Sequence, residues 1–559
     1  DNIYAFQQYN KKENTYSPSI SYPLADRAVK MIPEIKDFVL FSGSGMGFKM
    51  ATKNKTMYQK EGMTVSENFF NFFPFKLISG SYKDALKNEN SLALSTKAAK
   101  NLFGKTDVAG ESVKFDGDNF VVTAVYELPK ENSVIKPEFV ILAYEQIKND
   151  KESWGNFNYG CFFLLDKNAN TETVQKKLYD EVFLYRAKIN AKGAGITPEK
   201  YLELYGPRGS LLTPIDQMKL HGKAYWFGTG DLKTMIILFT LSVLIVVLSA
   251  INFINLKTAQ ASQRAKEIGV RKAIGSTKSS LVLQFLLETF LICFTSYLLA
   301  LALTELMLPS FNKFFAKEIV MNDWHIYFYS FVMVLAVTLI SGLIPATYLS
   351  NFKAIETLKG NFARSKHGIW LRNGILTLQL IISSFFIIAS LIVSSQVKHM
   401  MDKDLGFNGK QVYLVTFSEN VPQPWLKYER IKNEMRKIEG VADVSYGEAV
   451  AGSYRYSNSN MDYMDKTIYA QHGSMDYDYL KFMGVKLKSG RWLDSKLASD
   501  TINNVLVNET FVKQFGWNDN QAFKNEFRPG FDEKPYKIVG IVKDFNIQSL
   551  KTAVEPMIF

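Results

Sequence analysis

Cysteine is almost absent from this 559-residue chain, and the two present cannot build a framework: Cys161 lies in a polar stretch and Cys293 inside an apolar run. The polar parts must therefore fold by core packing rather than by disulfides. The five histidines, His221, His325, His367, His399 and His472, show no ligand spacing and no paired cysteines, so no metal site is expected. No Gly-x-Ser-x-Gly elbow occurs. A phosphate-binding loop is missing as well: the nearest match, Ala99-Lys-Asn-Leu-Phe-Gly104-Lys105-Thr106, has Ala where the first glycine belongs and reads as a helix end followed by a turn. Carboxylate pairs such as Asp476 and Asp478 read as solvated loop charges. Covalent and hydrolytic catalysis are not expected of this chain.

Long apolar runs are missing too, but only up to Asp231. The 47% hydrophobic content and a mean hydropathy of -0.06 suit neither an all-membrane nor an all-soluble chain. Four runs supply the apolar part: 232–256, 280–308 (ending before Pro309), 326–349 (interrupted by Gly342 and Pro345) and 375–397. In the first, Lys233 is the only formal charge, and each run is long enough to cross about 30 Å of hydrocarbon. The net charge of +12 does not argue for nucleic acid, because much of the excess sits in two short segments between these runs. One carries Lys257, Arg264, Lys266, Arg271, Lys272 and Lys278 against Glu267; the other carries Lys353, Lys359, Arg364, Lys366 and Arg372 against Glu356. The loop from Pro309 to His325 is balanced. Cation bias places the two basic segments in the cytoplasm and the polar domains, 1–231 and 398–559, outside.

Those domains read as α+β, with β-branched runs such as Phe120-Val-Val-Thr-Ala-Val125 alternating with helical stretches such as Thr171 to Ala187. They also read as a duplication. Ile32–Phe38 aligns with Ile438–Val444, Lys76-Leu-Ile-Ser-Gly80 with Lys486-Leu-Lys-Ser-Gly490, Ser91–Ser95 through Gly104 with Asn504–Asn508 through Gly516, and Phe120–Tyr126 with Tyr536–Val542. The start at Asp1 without an initiator Met and the stop at Phe559 after a strand-like run fit a fragment of an eight-span chain, each half being one span, an outside domain and three spans.

The segment 257–279 is where residue order becomes specific. Val270, Ala273, Ile274, Thr277 and Leu281 fall on one stripe at helical period with the cations off it, which predicts a short amphipathic helix at the membrane surface, and Gly275 and Ser276 allow a bend into the next span. The string RAKEIGVRKAIGS (Arg264–Ser276), preceded by NFINL (Asn252–Leu256) and followed by QFLLE (Gln284–Glu288), resembles the permease subunits of the MacB/FtsX family of ABC transporters, the mechanotransmission type. In that family this loop is the coupling helix that docks on the ATPase. The resemblance implies an ATPase-coupling role for Glu267, Ile268, Gly269, Val270, Arg271, Lys272, Ala273, Ile274 and Gly275. The apolar stripe Val270, Ala273 and Ile274 would then bury against the partner or the membrane edge, and Glu267, Arg271 and Lys272 would make polar contacts to the ATPase.

The polar residues Asn252, Asn255, Gln284 and Glu288 lie within or at the edge of the first two spans and need partners there. Gln284 and Glu288, at i and i+4, face one side and are set to pair with Asn252, Asn255 or nearby cations. By the resemblance, the chain binds no cofactor itself, ATP and Mg2+ belonging to a separate ATPase. Its further partners would be membrane lipid and a substrate or adaptor outside the inner membrane of a bacterium. Cargo stays open among drugs, peptides and lipoproteins. The alternative is a membrane receptor or scaffold with ligand-binding outside domains, to which the ordered loop 267–275 would be superfluous.

Overall fold

A computed structural model describes the chain except residues 1, 12–14, 44–47, 60, 116, 130–132, 194, 222, 224–229, 231, 316–318, 351–365, 416–423, 449–456, 548–549 and 551–552, and except the side chains at 259, 261–263, 265–266, 348–349, 366–372 and 375. The chain divides into two compact units, Asp1–Asp231 with Lys403–Phe559, and Leu232–Asp402.

Among the described residues, the first α+β domain carries a 13-stranded sheet. One end of it is antiparallel and runs Arg208–Pro214, Ile3–Asn10, Gly160–Leu165, Ile35–Ser42. The last three of these strands are rich in aromatic and β-branched residues, which favour a pleated, covered surface. Phe6 and Phe163 pack beneath Leu24 and Ala28 of the helix Tyr22–Met31 and beneath Val174, Leu178 and Val182 of the helical stretch 171–193.

Beyond Ile35–Ser42 the sheet enters a six-strand unit that recurs in the second domain. Phe139–Leu142 lies parallel to Gly62–Val65 and antiparallel to Ser91–Ser95, which is parallel to Asp118–Tyr126. Leu77–Gly80 and Ser112–Phe115 then pair antiparallel with Asp118–Tyr126. In the second domain Met557–Ile558 has the same relations to Lys466–His472 and Asn504–Asn508, which is parallel to Tyr536–Val542. Leu487–Gly490 and Glu526–Pro529 pair antiparallel with that last strand. In each copy a helix follows the parallel strand and is started by a side-chain cap: Ala98 N donates to Ser95 Oγ at 3.0 Å, and Phe511 N to Asn508 Oδ1 at 3.1 Å. Even the tight approach is repeated. A Cβ on Gly80 (φ +87) would lie 2.2 Å from the Thr123 carbonyl oxygen, and one on Gly490 (φ +84) 2.4 Å from that of Val539, so only glycine fits either place. At the match of Ile32–Phe38 with Ile438–Val444 a helix and a turn precede both segments, but Ile35–Ser42 is a strand, whereas residues 441–446 form no regular strand and lead only to an isolated antiparallel bridge of Gly447 with Met475. The physical reason is pairing. Ile35–Ser42 has Gly160–Leu165 beside it, and the second domain has no equivalent of that neighbour among the described residues.

Among the described residues, the other unit contains four helices long and apolar enough to cross a membrane: Leu232–Thr258, Lys278–Phe315, Trp324–Thr347 and Leu376–Asp402. Two sequence expectations are corrected here. The first helix does not stop at Leu256 to be followed by a separate surface helix; it runs unbroken from Leu232 to Ala273. Residues 257–268 are Ala, Gln, Lys, Arg and Glu-rich with no proline or glycine, so nothing interrupts it. The second helix does not end at Pro309 but continues to Phe315, since a single proline removes one backbone bond without ending the rest. The basic residues Lys353, Lys359 and Arg364 lie outside the described residues, as do the side chains of Lys366 and Arg372.

Candidate coupling site

At 1.5 Å per residue, the 42 residues of Leu232–Ala273 span about 63 Å, roughly twice a hydrocarbon core. The helix therefore carries a polar extension of several turns. It stops where Gly275 turns left-handed (φ +103), with Gly275 N bonded to Lys272 O at 3.1 Å and Ser276 N to Arg271 O at 2.9 Å. Thr277 then starts the second helix, its Oγ1 accepting from Ser280 N at 3.2 Å.

The extension is fixed to the second helix along one face. Lys257, Arg264, Ile268 and Arg271 are spaced 7, 4 and 3 residues apart, which puts them on a single side of an α-helix. Lys257 Nζ lies 2.9 Å from Glu288 Oε1, and Arg264 Nη1 lies 2.8 Å from Oε2. Ile268, only 3% exposed, packs on Leu281 and Phe285. Arg271 donates to Gln284 Oε1 at 2.7 Å and to Glu267 Oε1 at 2.6 Å. A third helix joins at the same level: Lys272 Nζ donates at 2.6 Å to the carbonyl of Ser350, the last residue of Trp324–Ser350, where a cation suits the negative end of the helix. Gly342 of that helix packs closely on the second, since a Cβ there would lie 2.9 Å from Leu286 Cδ2. A small cavity of about 20 Å3 remains among Lys257, Arg264, Glu288, Thr289, Gly342 and Pro345.

This arrangement redistributes the sequence-expected residues. Ile268 and Gly269 are buried within the chain, while Val270 (46% exposed) and Ile274 (81% exposed) point away from the packed face, and Ala273 and Gly275 are exposed beside them. The expected stripe does not extend to Leu281, which belongs to the next helix and is buried with Ile268. Glu288 and Gln284 pair with cations and not with the asparagines. Asn252 is exposed, and Asn255 Nδ2 is buried without a hydrogen-bond partner among the described residues. Of the partners the sequence offers Gln284 and Glu288, the nearby cations are the ones used, and the heptad spacing of Lys257 and Arg264 opposite an i, i+4 Gln/Glu pair is the signal that marks which cations.

Comparison with known proteins agrees with this architecture. Residues 239–354 match the FtsX-like permease C-terminal model, and residues 1–180 and 374–558 match the MacB-like periplasmic core domain. Among curated relatives, the macrolide export ATP-binding/permease protein MacB of Mannheimia succiniciproducens is 32% identical over 136 residues, 23% of this chain and 20% of that protein. MacB of Neisseria meningitidis serogroup A is 23% identical over 255 residues, 45% of this chain and 36% of that protein, so the matched part spans a minor share of either relative. The periplasmic region of MacB from Actinobacillus actinomycetemcomitans is a structural neighbour at 15% identity and TM-score 0.27, covering 39% of this chain and 91% of that one. With both core-domain segments and the permease segment matched, the chain is a membrane protein and belongs to the MacB/FtsX family of ABC transporter permeases.

Proposed function

We propose that this permease converts ATP hydrolysis by a separate ATPase subunit, which holds ATP and Mg2+, into movement of two extracytoplasmic domains at a bacterial inner membrane. The observation that supports this reading best is the unbroken helix Leu232–Ala273, which joins the exposed Val270 and Ile274 to the far end of the first span without a joint. A rigid rod of this kind moves as a body when pushed at one end. The surplus of cations in 257–278 argues for a cytoplasmic position of the pushed end. Macrolide export by the relatives makes a macrolide-like drug or an antimicrobial peptide the first cargo to examine, with lipoprotein handling as the other member of the class.

The test is biochemical. The chain's nearest approach to a phosphate loop is spent on structure: Gly104 ends the helix Thr96–Phe103, and Lys105 lies 3.3 Å from Glu111. Purified alone, the chain should give no ATP hydrolysis above a mock preparation. Co-expressed with its cognate ATPase, it should co-purify as a complex that hydrolyses ATP. Sustained hydrolysis by the isolated chain would refute the subunit reading.

A further inference from the structure

In the first α+β domain, the helical stretch 178–193, the helix Pro198–Tyr205 and the residues leading into the strand Arg208–Pro214 enclose a cavity of about 20 Å3 with aromatic and aliphatic walls that include Phe183, Tyr201 and Leu202. Two arginines line it, Arg186 and Arg208. Arg186 is partly buried, its Cζ 4.2 Å from the centre of the Phe157 ring, and its buried Nε has no hydrogen-bond partner among the described residues. Arg208 Nη2 donates to Tyr469 Oη at 3.1 Å. Among the described residues neither arginine has a carboxylate partner: Glu203 on the adjoining helix pairs with Lys200 at 3.3 Å, and Asp462 accepts from Thr467 at 2.5 Å. Burial, with the charge of Arg208 nearby, pulls Arg186 down to about 10, so it remains a cation at neutral pH. A partly buried guanidinium with no carboxylate beside it is costly to keep unless a counter-charge arrives.

The position of the cavity gives a second reason to expect an occupant. Arg208 reaches Tyr469, so the rim is shared with the strand Lys466–His472 of the second domain. A ligand held here touches the contact between the two domains.

We propose that this cavity binds a carboxylate carried on an aromatic or apolar body, gripped by Arg186 and Arg208 together. The forked donors of arginine match a two-oxygen head. The space admits a water-sized group, so the head enters and the body lies along the aromatic wall. This site is separate from the coupling helix and does not depend on the transport reading.

Calorimetric titration of the full chain in lipid nanodiscs tests it, with N-acetylphenylalanine and its amide as probes. The acid should bind saturably and the amide at least about tenfold more weakly, a loss of about 1.4 kcal/mol. Arg208→Gln and Arg186→Met should each weaken the acid by a similar factor or more. Without ligand, Arg186→Met should keep or raise the thermal midpoint, because it removes an unpaired buried charge. An arginine kept only to pack on Phe157 predicts the reverse: a lower midpoint with unchanged affinity for the acid. Equal affinity for acid and amide, or no binding of either at millimolar concentration, overturns the proposal. Should Arg186→Met not fold, Arg208→Gln and the acid-to-amide comparison decide it.

Discussion

Arg264 holds both oxygens of Glu288 with one guanidinium nitrogen, Nη1 lying 3.0 Å from Oε1 and 2.8 Å from Oε2, and thereby closes the turn between the first two helices across 24 residues of chain. Lys257 reaches the same carboxylate from two turns further back. A carboxylate shared by two cations of one helix resists both sliding and rotation of that helix against its neighbour, which a force-transmitting rod requires.

Replacing Glu288 by Gln should therefore separate binding from work. Lys257 and Arg264 lose their common counter-ion, while Val270 and Ile274, the exposed residues, are untouched. We expect the ATPase to remain bound and to hydrolyse ATP while export falls on the order of tenfold, about 1.4 kcal/mol of lost coupling. Hydrolysis and export measured on one reconstituted complex give the comparison. Unchanged export per ATP would leave Glu288 with a packing role alone.

Topology makes a second prediction. From the cation excess in 257–278 we expect that segment in the cytoplasm and both α+β domains outside. Asn508 cannot serve as an outside probe, because it is fully buried as a helix cap, its Oδ1 accepting from Phe511 N. Asn119 and Lys513 are exposed and replace it. Single cysteines at these two positions, in a chain stripped of Cys161 and Cys293, should react with an impermeant maleimide on intact spheroplasts. A cysteine at Ser279 should react only after lysis. Labelling of Ser279 in sealed cells reverses the orientation.

How much of this was legible in the sequence depends on the kind of signal. Four spans followed from apolar length, and the duplication followed from short strings such as Leu-Ile-Ser-Gly80 and Leu-Lys-Ser-Gly490, because a glycine forced into the left-handed region beside a neighbouring backbone tolerates no substitute. Sheet extent was not legible. The antiparallel end of the first sheet brings together Ile3–Asn10, Gly160–Leu165 and Arg208–Pro214, pairings no local pattern specifies. Which face of the segment 257–278 packs within the chain was not legible either. Charge drew attention to Val270 and Ile274 as the apolar side, whereas the face that packs internally is made of cations whose partners, Gln284 and Glu288, lie on another helix. Periodicity shows that a helix has faces; it does not say which is covered first.

The second domain offers a prediction about acid. Asp500, with its side chain fully buried, accepts from Arg491 Nη2 at 2.8 Å, Asn504 Nδ2 at 2.7 Å and Asp494 N at 2.8 Å, besides a second contact with Arg491. The arginine first, and then the other donors against the cost of burial, hold its carboxyl well below the usual range. A depressed folded-state value means that the stabilisation is complete above the unfolded value, about 3.9, and is lost as pH falls through the lower folded value. Asp500→Asn should cost about 1–3 kcal/mol at pH 7, less than for a fully buried pair because Arg491 is 43% exposed. The difference in thermal midpoint between the two proteins should shrink steadily below about pH 4. A difference that stays constant to pH 2 would mean that shape, not charge, makes the site.

The last prediction concerns the free end of the rod. Val270 and Ile274, the latter just past the helix end with its N bonded to Val270 O at 3.0 Å, are exposed and lie off the face that meets Glu288, so charges placed there disturb nothing inside the chain. Val270→Asp with Ile274→Asp should leave folding and insertion intact, because both positions are already open to solvent and the number of lysines and arginines is unchanged. If this surface docks on the ATPase, two carboxylates enter a contact from which water is excluded, at a cost on the order of several kcal/mol when they meet no counter-charge. Pull-down of the ATPase should then fail, and with it ATP-driven export, while the labelling pattern at Asn119, Lys513 and Ser279 is retained. If the cations of 257–278 serve only to set topology, the double variant binds the ATPase and exports as before. The paired measurement matters, because loss of binding together with altered labelling would report misinsertion and say nothing about docking. Lost binding with preserved labelling assigns the contact to Val270 and Ile274.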